Sequence, residues 1–231
     1  MNTPTQKGKF IVIEGTDGSG KGTQVKLLAE KLQSLGVNFQ ITDFPQYGNP
    51  SAHFVEKYLR GEYGTAQEVG PYKASYFYAL DRFDKSFEMK KWLSEGTHIV
   101  SNRFVTSSMG HQTGKIDSRE EQDKFLNWLD DLEYRQLDIP RPDVIIFLYV
   151  PPAIAQKLVG EKAAREYTKG KSHDIHEADL EHLEKAAAAY KYVAEKFGWL
   201  YIDCVKGGSM MSEKEIHALI FEKVSDYFKT G

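Results

Sequence analysis

The chain has 231 residues, 41% of them hydrophobic and 27% charged, with a formal net charge of −3 and a single cysteine, Cys204. That charge argues against a broad nucleic-acid footprint, so an anionic ligand has to be held by local charge, and one cysteine excludes an intrachain disulfide or a cysteine-cluster metal site. No apolar run approaches the roughly 18 residues of a membrane span, residues 1–9 lack a signal-peptide core, and the length suits one folding unit over 1–231, so the expectation is a soluble cytoplasmic protein without membrane or nucleic-acid partners.

The first predicted strand, 10–13, runs through Glu14 into Gly15-Thr16-Asp17-Gly18-Ser19-Gly20-Lys21-Gly22-Thr23 and then a helix over 22–34 carrying Val25, Leu28 and Leu32. Gly15, Gly20 and Lys21 match G-x-x-x-x-G-K, in which backbone N–H groups and a helix N-terminus wrap phosphates and the lysine adds a point charge. Gly15 through Thr23 are therefore the expected ATP-binding residues. The residue after the lysine is normally Ser or Thr, whose hydroxyl ligates Mg²⁺; here it is Gly22, and the first hydroxyl belongs to Thr23.

Further short apolar runs at 39–42, 98–100, 144–150 and 200–202 alternate with helical patterns at 72–95, 119–137, 178–196 and 212–229. That alternation predicts a three-layer α/β fold, a five-stranded parallel sheet flanked by helices. Ser118 and Ser212 are N-cap signals followed by early-turn acids, and Gly36, Gly96 and Gly198 stand where helices end. Residues 45–70, rich in Gly and Pro around Phe54, Val55, Tyr58 and Leu59, read as a mobile flap with a short helix. Residues 160–176 are polar and basic, with Lys162 and Arg165, and read either as a solvated loop or as a lid over phosphates.

Phosphoryl transfer asks a protein for alignment, charge neutralisation and exclusion of water. The candidate cations are Lys21, Arg82, Arg103 and those of residues 160–176. Arg103 follows the third predicted strand at its C-terminal end, where ligands of open α/β sheets collect. Tyr78 and Arg82 lie four apart on one helix face, and the aromatics around them either grip a base or pack the helix against the core.

Glu14 to Lys21 resembles the phosphate loop of thymidylate kinases; Phe44-Pro45 is similar to the family's Phe-Pro after the second strand, and Ala79-Leu80-Asp81-Arg82 and Asn102-Arg103-Phe104 resemble its two arginine motifs. The similarity continues through 107–115 and 177–190 and so covers most of the chain in order. It implies transfer of the ATP γ-phosphate to thymidine monophosphate by a homodimer using Mg²⁺ with ATP. It implies further that Asp17, Tyr78, Arg82, Arg103, Ser107, His111 and Gln112 contact the acceptor, and that Lys21, Arg103 and Arg165 are catalytic.

The departures from the resemblance are specific. Asn102 stands where the family has an Asp, so that residue's contact to Mg²⁺ through water is weakened or passes to a neutral amide, and Thr23 and Asn102 are the residues expected to reach the metal through water; Tyr47 replaces a frequent Arg; Gly18 leaves the loop without the arginine some members carry there, which resembles the subgroup whose catalytic cations come from the lid. Gly22-Thr23-Gln24 looks more like adenylate and uridylate kinases, so AMP, UMP, CMP or dGMP as acceptor, and a non-catalytic nucleotide-binding module, are the competing readings.

Overall fold

The computed structural model describes residues 7–167 and 180–228, with side chains for 7–160 and 183–228. Strands β1 (Phe10–Gly15), β2 (Phe39–Asp43), β3 (His98–Asn102), β4 (Val144–Tyr149) and β5 (Leu200–Asp203) form one sheet in the order β2-β3-β1-β4-β5, every pairing parallel. β1 sits at the centre and alternates between two cores. Phe10 and Val12 pack with Ile99, Phe147 and the helices of one layer, whereas Ile11 and Ile13 pack with Val25, Leu28, Ile146 and Ile220 of the other. All four β1 side chains are fully buried, which is what a strand covered by helices on both faces requires. The three-layer architecture expected from the sequence is the one observed.

Helix α1 (Lys21–Ser34) and, near the C-terminus, α8 (Glu213–Val224) cover one face of the sheet; α8 carries the capping box expected at Ser212. The opposite face is covered by α3 (Ala66–Ser94), α4 (Val105–Thr113), α5 (Arg119–Asp130) and α7 (Leu180–Phe197). Gly36, Gly96 and Gly198 all have positive φ after their helices, as expected.

Several boundaries differ from expectation. The helix predicted from 72 begins at Ala66 on a Thr65 capping box and kinks at Gly70 (φ 73°) before Pro71. The helix predicted over 119–137 ends as a π-helical turn, Asp131–Gln136. Helix α6 (Pro152–Tyr167) continues through Gly160 to cover the first half of the expected lid, because a single glycine weakens a helix by only about 1 kcal/mol. Residues 168–176 lie outside the described residues, as do the side chains of Lys162 and Arg165. The expected flap contains α2 (His53–Leu59) and is pinned to α3. Buried Asp81 accepts from the Gln46 backbone at 2.9 Å and from Ser51 Oγ at 2.7 Å.

Contact between α4 and α7 depends on Gly110, where an added Cβ would stand 2.3 Å from the buried Tyr190 ring. Gly110→Ala is expected to destabilise the fold by about 1–3 kcal/mol, the usual penalty of overpacking; an unchanged denaturant midpoint would show that the two helices tolerate separation.

Candidate active site

Adjacent strands β1 and β3 send the chain onward in opposite directions, and at their C-terminal ends opens a cavity of about 710 Å³. Its floor is the glycine-rich loop. Gly20, at φ 82°, is the N-cap of α1, and Gly18, at φ 81°, passes so close to α6 that a Cβ would lie 2.6 Å from the Ala155 carbonyl oxygen. Both positions demand glycine on conformational grounds. Asp17 through Thr23 line the cavity, while Gly15 and Thr16 are buried beneath it. Lys21 Nζ donates to the carbonyls of Gly15 (2.9 Å) and Thr16 (2.8 Å), which holds its charge inside the loop. Ser19 Oγ is buried without a hydrogen-bond partner.

Glu14, fully buried, fixes this loop to the rest of the site. Its carboxylate accepts from Gly15 N (2.9 Å), Thr106 Oγ1 (2.7 Å), Ser107 Oγ (2.8 Å) and Tyr190 Oη (3.1 Å). Burial, with the Glu14 charge adding to it, pushes the Tyr190 phenol well above its usual range, so Tyr190 remains a donor.

Arg103 lines the cavity between Asp17 of the loop and His111 of α4. It has φ 64°, a left-handed conformation that is uncommon for a non-glycine residue. Its backbone is held there by Ser101 Oγ donating to its carbonyl at 2.6 Å and by its own N–H donating to Ile13 O at 3.2 Å. The guanidinium bonds Asp17 Oδ1 and lies 3.2 Å from His111 Nε2. Desolvation works against its charge, but Asp17 and, farther off, Glu14 outweigh that and raise its pKa, so it stays a cation.

Arg82, only 2% exposed, reaches the same cavity from α3. It makes a fork with Glu133, which is fully buried on the π-helical turn, and also donates to Ser108 Oγ (3.0 Å) and the Phe104 carbonyl (3.3 Å). Burial pushes the Glu133 carboxyl up while Arg82 pulls it down. Tyr78, Ser107, His111 and Gln112 also line this end, Gln112 with an unpartnered buried Oε1, and Tyr47 lines the rim. Thr23 and Asn102 both line the cavity, and Asn102 Nδ2 donates to Asp43 Oδ1 at 2.9 Å. At the far end stand Met210, Met211 and Glu213, brought in by a short hairpin of β6 (Val205–Lys206) and β7 (Ser209–Met210) and by the start of α8.

The candidate residues with described side chains thus converge on one cavity. No motif in the sequence singles out Glu14, Asp43, Glu133 or Tyr190 as a site residue. A carboxylate inside an otherwise apolar strand was the available signal for Glu14; the others depend on contacts between distant segments.

Comparison with known proteins bears on this site. The family model described as Thymidylate kinase matches residues 13–204. A thymidylate kinase of Plasmodium falciparum is 28% identical over 206 residues, covering 89% of this chain and 87% of the relative. A probable thymidylate kinase of Picrophilus torridus is 28% identical over 223 residues, covering 94% and 96%. The solved thymidylate kinase structure from Candida albicans superposes with a TM-score of 0.69 at 19% identity over 96% of this chain and 94% of that one, a likeness of fold.

Removing one member of the buried Arg82–Glu133 pair strands the other. Glu133→Ala is expected to cost about 3–5 kcal/mol of stability, read by chemical denaturation; a loss below about 1 kcal/mol would mean that Arg82 finds another counter-charge.

Proposed function

The chain belongs to the thymidylate kinase family, and we propose that Lys21, Arg103 and Arg165 divide the work of moving the γ-phosphate of ATP onto thymidine monophosphate. An oxygen of the acceptor phosphate attacks the γ-phosphorus, the bond to the ADP oxygen breaks, and thymidine diphosphate and ADP leave, a step toward dTTP. The loop from Gly15 to Thr23 holds the triphosphate with backbone N–H groups, and Lys21 exchanges its carbonyl partners for phosphate oxygens. Arg103 takes the acceptor phosphate. Arg165, assigned to the lid, meets the transferring group when the lid closes. Asp17 approaches the acceptor sugar; Arg82, Ser107, His111 and Gln112 surround the acceptor, with Tyr78 against its base.

One observation carries this reading: Arg103, in a conformation that costs of order 1–3 kcal/mol, is bonded to the carboxylate of the donor loop while facing the acceptor end of the same cavity. A module that only bound ATP would have no use for that cation. Mg²⁺ bound with ATP would neutralise phosphate charge; among the oxygen-bearing side chains of the cavity, Thr23, Asn102 and Asp43 would hold it, the amide having a buried, unpartnered Oδ1.

The reading extends to assembly and location. Tyr72, Tyr76, Leu80 and Phe87 are exposed along one stripe of α3, Phe87 by 60%. No helix among the described residues is long and apolar enough to cross a membrane. A stripe of this kind suits a two-fold interface, so the enzyme is proposed to act as a cytoplasmic homodimer.

ADP formation with dTMP is expected to exceed that with AMP, UMP, CMP or dGMP, and Lys21→Ala and Arg103→Ala are each expected to lower kcat/KM for dTMP at least about ten-fold. Preference for another monophosphate would overturn the acceptor, and normal turnover in the Arg103 variant would remove it from the site. Light scattering should give twice the chain mass at micromolar concentration and one chain mass for Phe87→Glu; a monomeric wild type would refute the dimer.

A further inference from the structure

The loop lacks the hydroxyl that usually follows the lysine, since Gly22 stands there, so the oxygen ligands that anchor a metal on the triphosphate have to come from elsewhere in the cavity wall. Asp17, the carboxylate within the loop, is committed to Arg103 and lies 3.8 Å from Lys21. Glu14 is fully buried and saturated by four donors. Of the remaining carboxylates lining the cavity, Glu213 opens α8, whereas Asp43 stands at the C-terminal end of β2, near enough to Lys21 for their charges to interact.

Asp43 and Asn102 are direct register partners across the parallel β2–β3 pair, and Asn102 is in turn the partner of Ile13 on β1, the strand that feeds the loop. The Asn102 amide therefore stands between the Asp43 carboxylate and the phosphate cradle. Its Nδ2 donates to Asp43 Oδ1 at 2.9 Å, which fixes the rotation of the amide and leaves Oδ1 as the other end, buried and without a partner. A buried carbonyl oxygen with nothing to accept from is an anomaly that calls for a donor such as an ordered water. Among the described residues no other side chain donates to Asp43. Lys21 and Arg103 are both near enough to act on its charge, and partial desolvation, stronger than their pull and that of Asn102, leaves its carboxyl above the usual range.

Mg²⁺ demands octahedral oxygen ligation, gives up its waters reluctantly, and is usually held by one or two carboxylates together with substrate phosphates. Neighbouring strands are about 4.8 Å apart, so a carboxylate on β2 stands one strand farther from the loop than one on β3 and would reach a metal on the triphosphate through water.

We propose that Asp43 and Asn102 act as one unit that anchors the waters of the Mg²⁺ on ATP, with Asp43 supplying the negative charge and the Asn102 Oδ1 accepting from a metal-bound water. The pair is a positioning device for the metal and makes no contact with the transferring phosphoryl group. The proposal rests on ATP as donor but not on the identity of the acceptor.

The test uses Mn²⁺ as the probe, its binding to the full-length enzyme in complex with a non-hydrolysable ATP analogue followed by electron paramagnetic resonance without any acceptor. Asp43→Asn is expected to weaken Mn²⁺ binding roughly ten-fold or more, the usual effect of losing an outer-sphere partner. Binding of the analogue in EDTA should be unchanged or tighter, because a negative charge near the triphosphate has gone. The exchanged variant, Asp43→Asn with Asn102→Asp, should recover Mn²⁺ affinity to within about three-fold of wild type, and it covers the case in which the single variant does not fold. Wild-type Mn²⁺ affinity in Asp43→Asn, equal weakening with and without metal, or an exchanged variant as weak as the single one would each overturn the proposal. A wrong acceptor assignment would leave all of these outcomes unaltered, whereas a wild-type enzyme that does not bind the analogue would refute the donor itself.

Discussion

One fully buried carboxylate, Glu14, holds the frame on which the rest of the site is built. It closes the central strand, and its four donors come from the loop (Gly15), from α4 (Thr106 and Ser107) and from α7 (Tyr190). A buried charge is tolerated only when hydrogen bonds replace the water it has lost, so the four groups are locked to one another. The glycine-rich loop and the helix that carries Ser107 and His111 consequently share a reference point. Phosphoryl transfer depends on alignment, and these bonds fix the loop, α4 and α7 relative to one another.

On that frame the cations are arranged by what holds them. Lys21 donates to the carbonyl oxygens of Gly15 and Thr16 and lies 3.8 Å from the Asp17 carboxylate. Arg103 is ion-paired with Asp17, which keeps its guanidinium charged and attached to the loop. Arg82 is tied by both edges of its fork to Glu133, Ser108 and Phe104, which makes it a rigid part of the wall. A left-handed Arg103 is strained, and the surrounding bonds from Ser101 and Ile13 over-determine it, the pattern expected where strain serves a site.

Elements whose signals are local could be read from the sequence. The loop, the five strands and the capped helices α5 and α8 each carry their pattern within a dozen residues. Helix α4 shows in the sequence only as a motif, because Val105 to Thr113 has little apolar periodicity; Gly110 against Tyr190 makes it a packed element, a contact across 80 residues of sequence. Residues 160–167 continue helix α6 although Gly160 and the charges after it have the composition of a loop. The π-helical turn that delivers Glu133 to Arg82 has no compositional mark. Asp43 becomes meaningful only once β2 lies beside β3 in register with Asn102, since neither residue announces its partner 59 positions away. The glycine-rich loop and the two arginines are thus legible in the sequence, whereas Glu14, Asp43 and Glu133, to which Gly15, Asn102 and Arg82 bond, are not.

If a single cavity seats both nucleotides with Arg103 between them, a compound joining adenosine and thymidine through five phosphates on their 5′ oxygens gains from binding at both ends at once. Isothermal titration should find it bound at least about ten-fold more tightly than ATP or dTMP alone, with most of that gain lost in Arg103→Ala. Binding no tighter than that of ATP, or tighter binding of the corresponding diadenosine compound, would contradict the account.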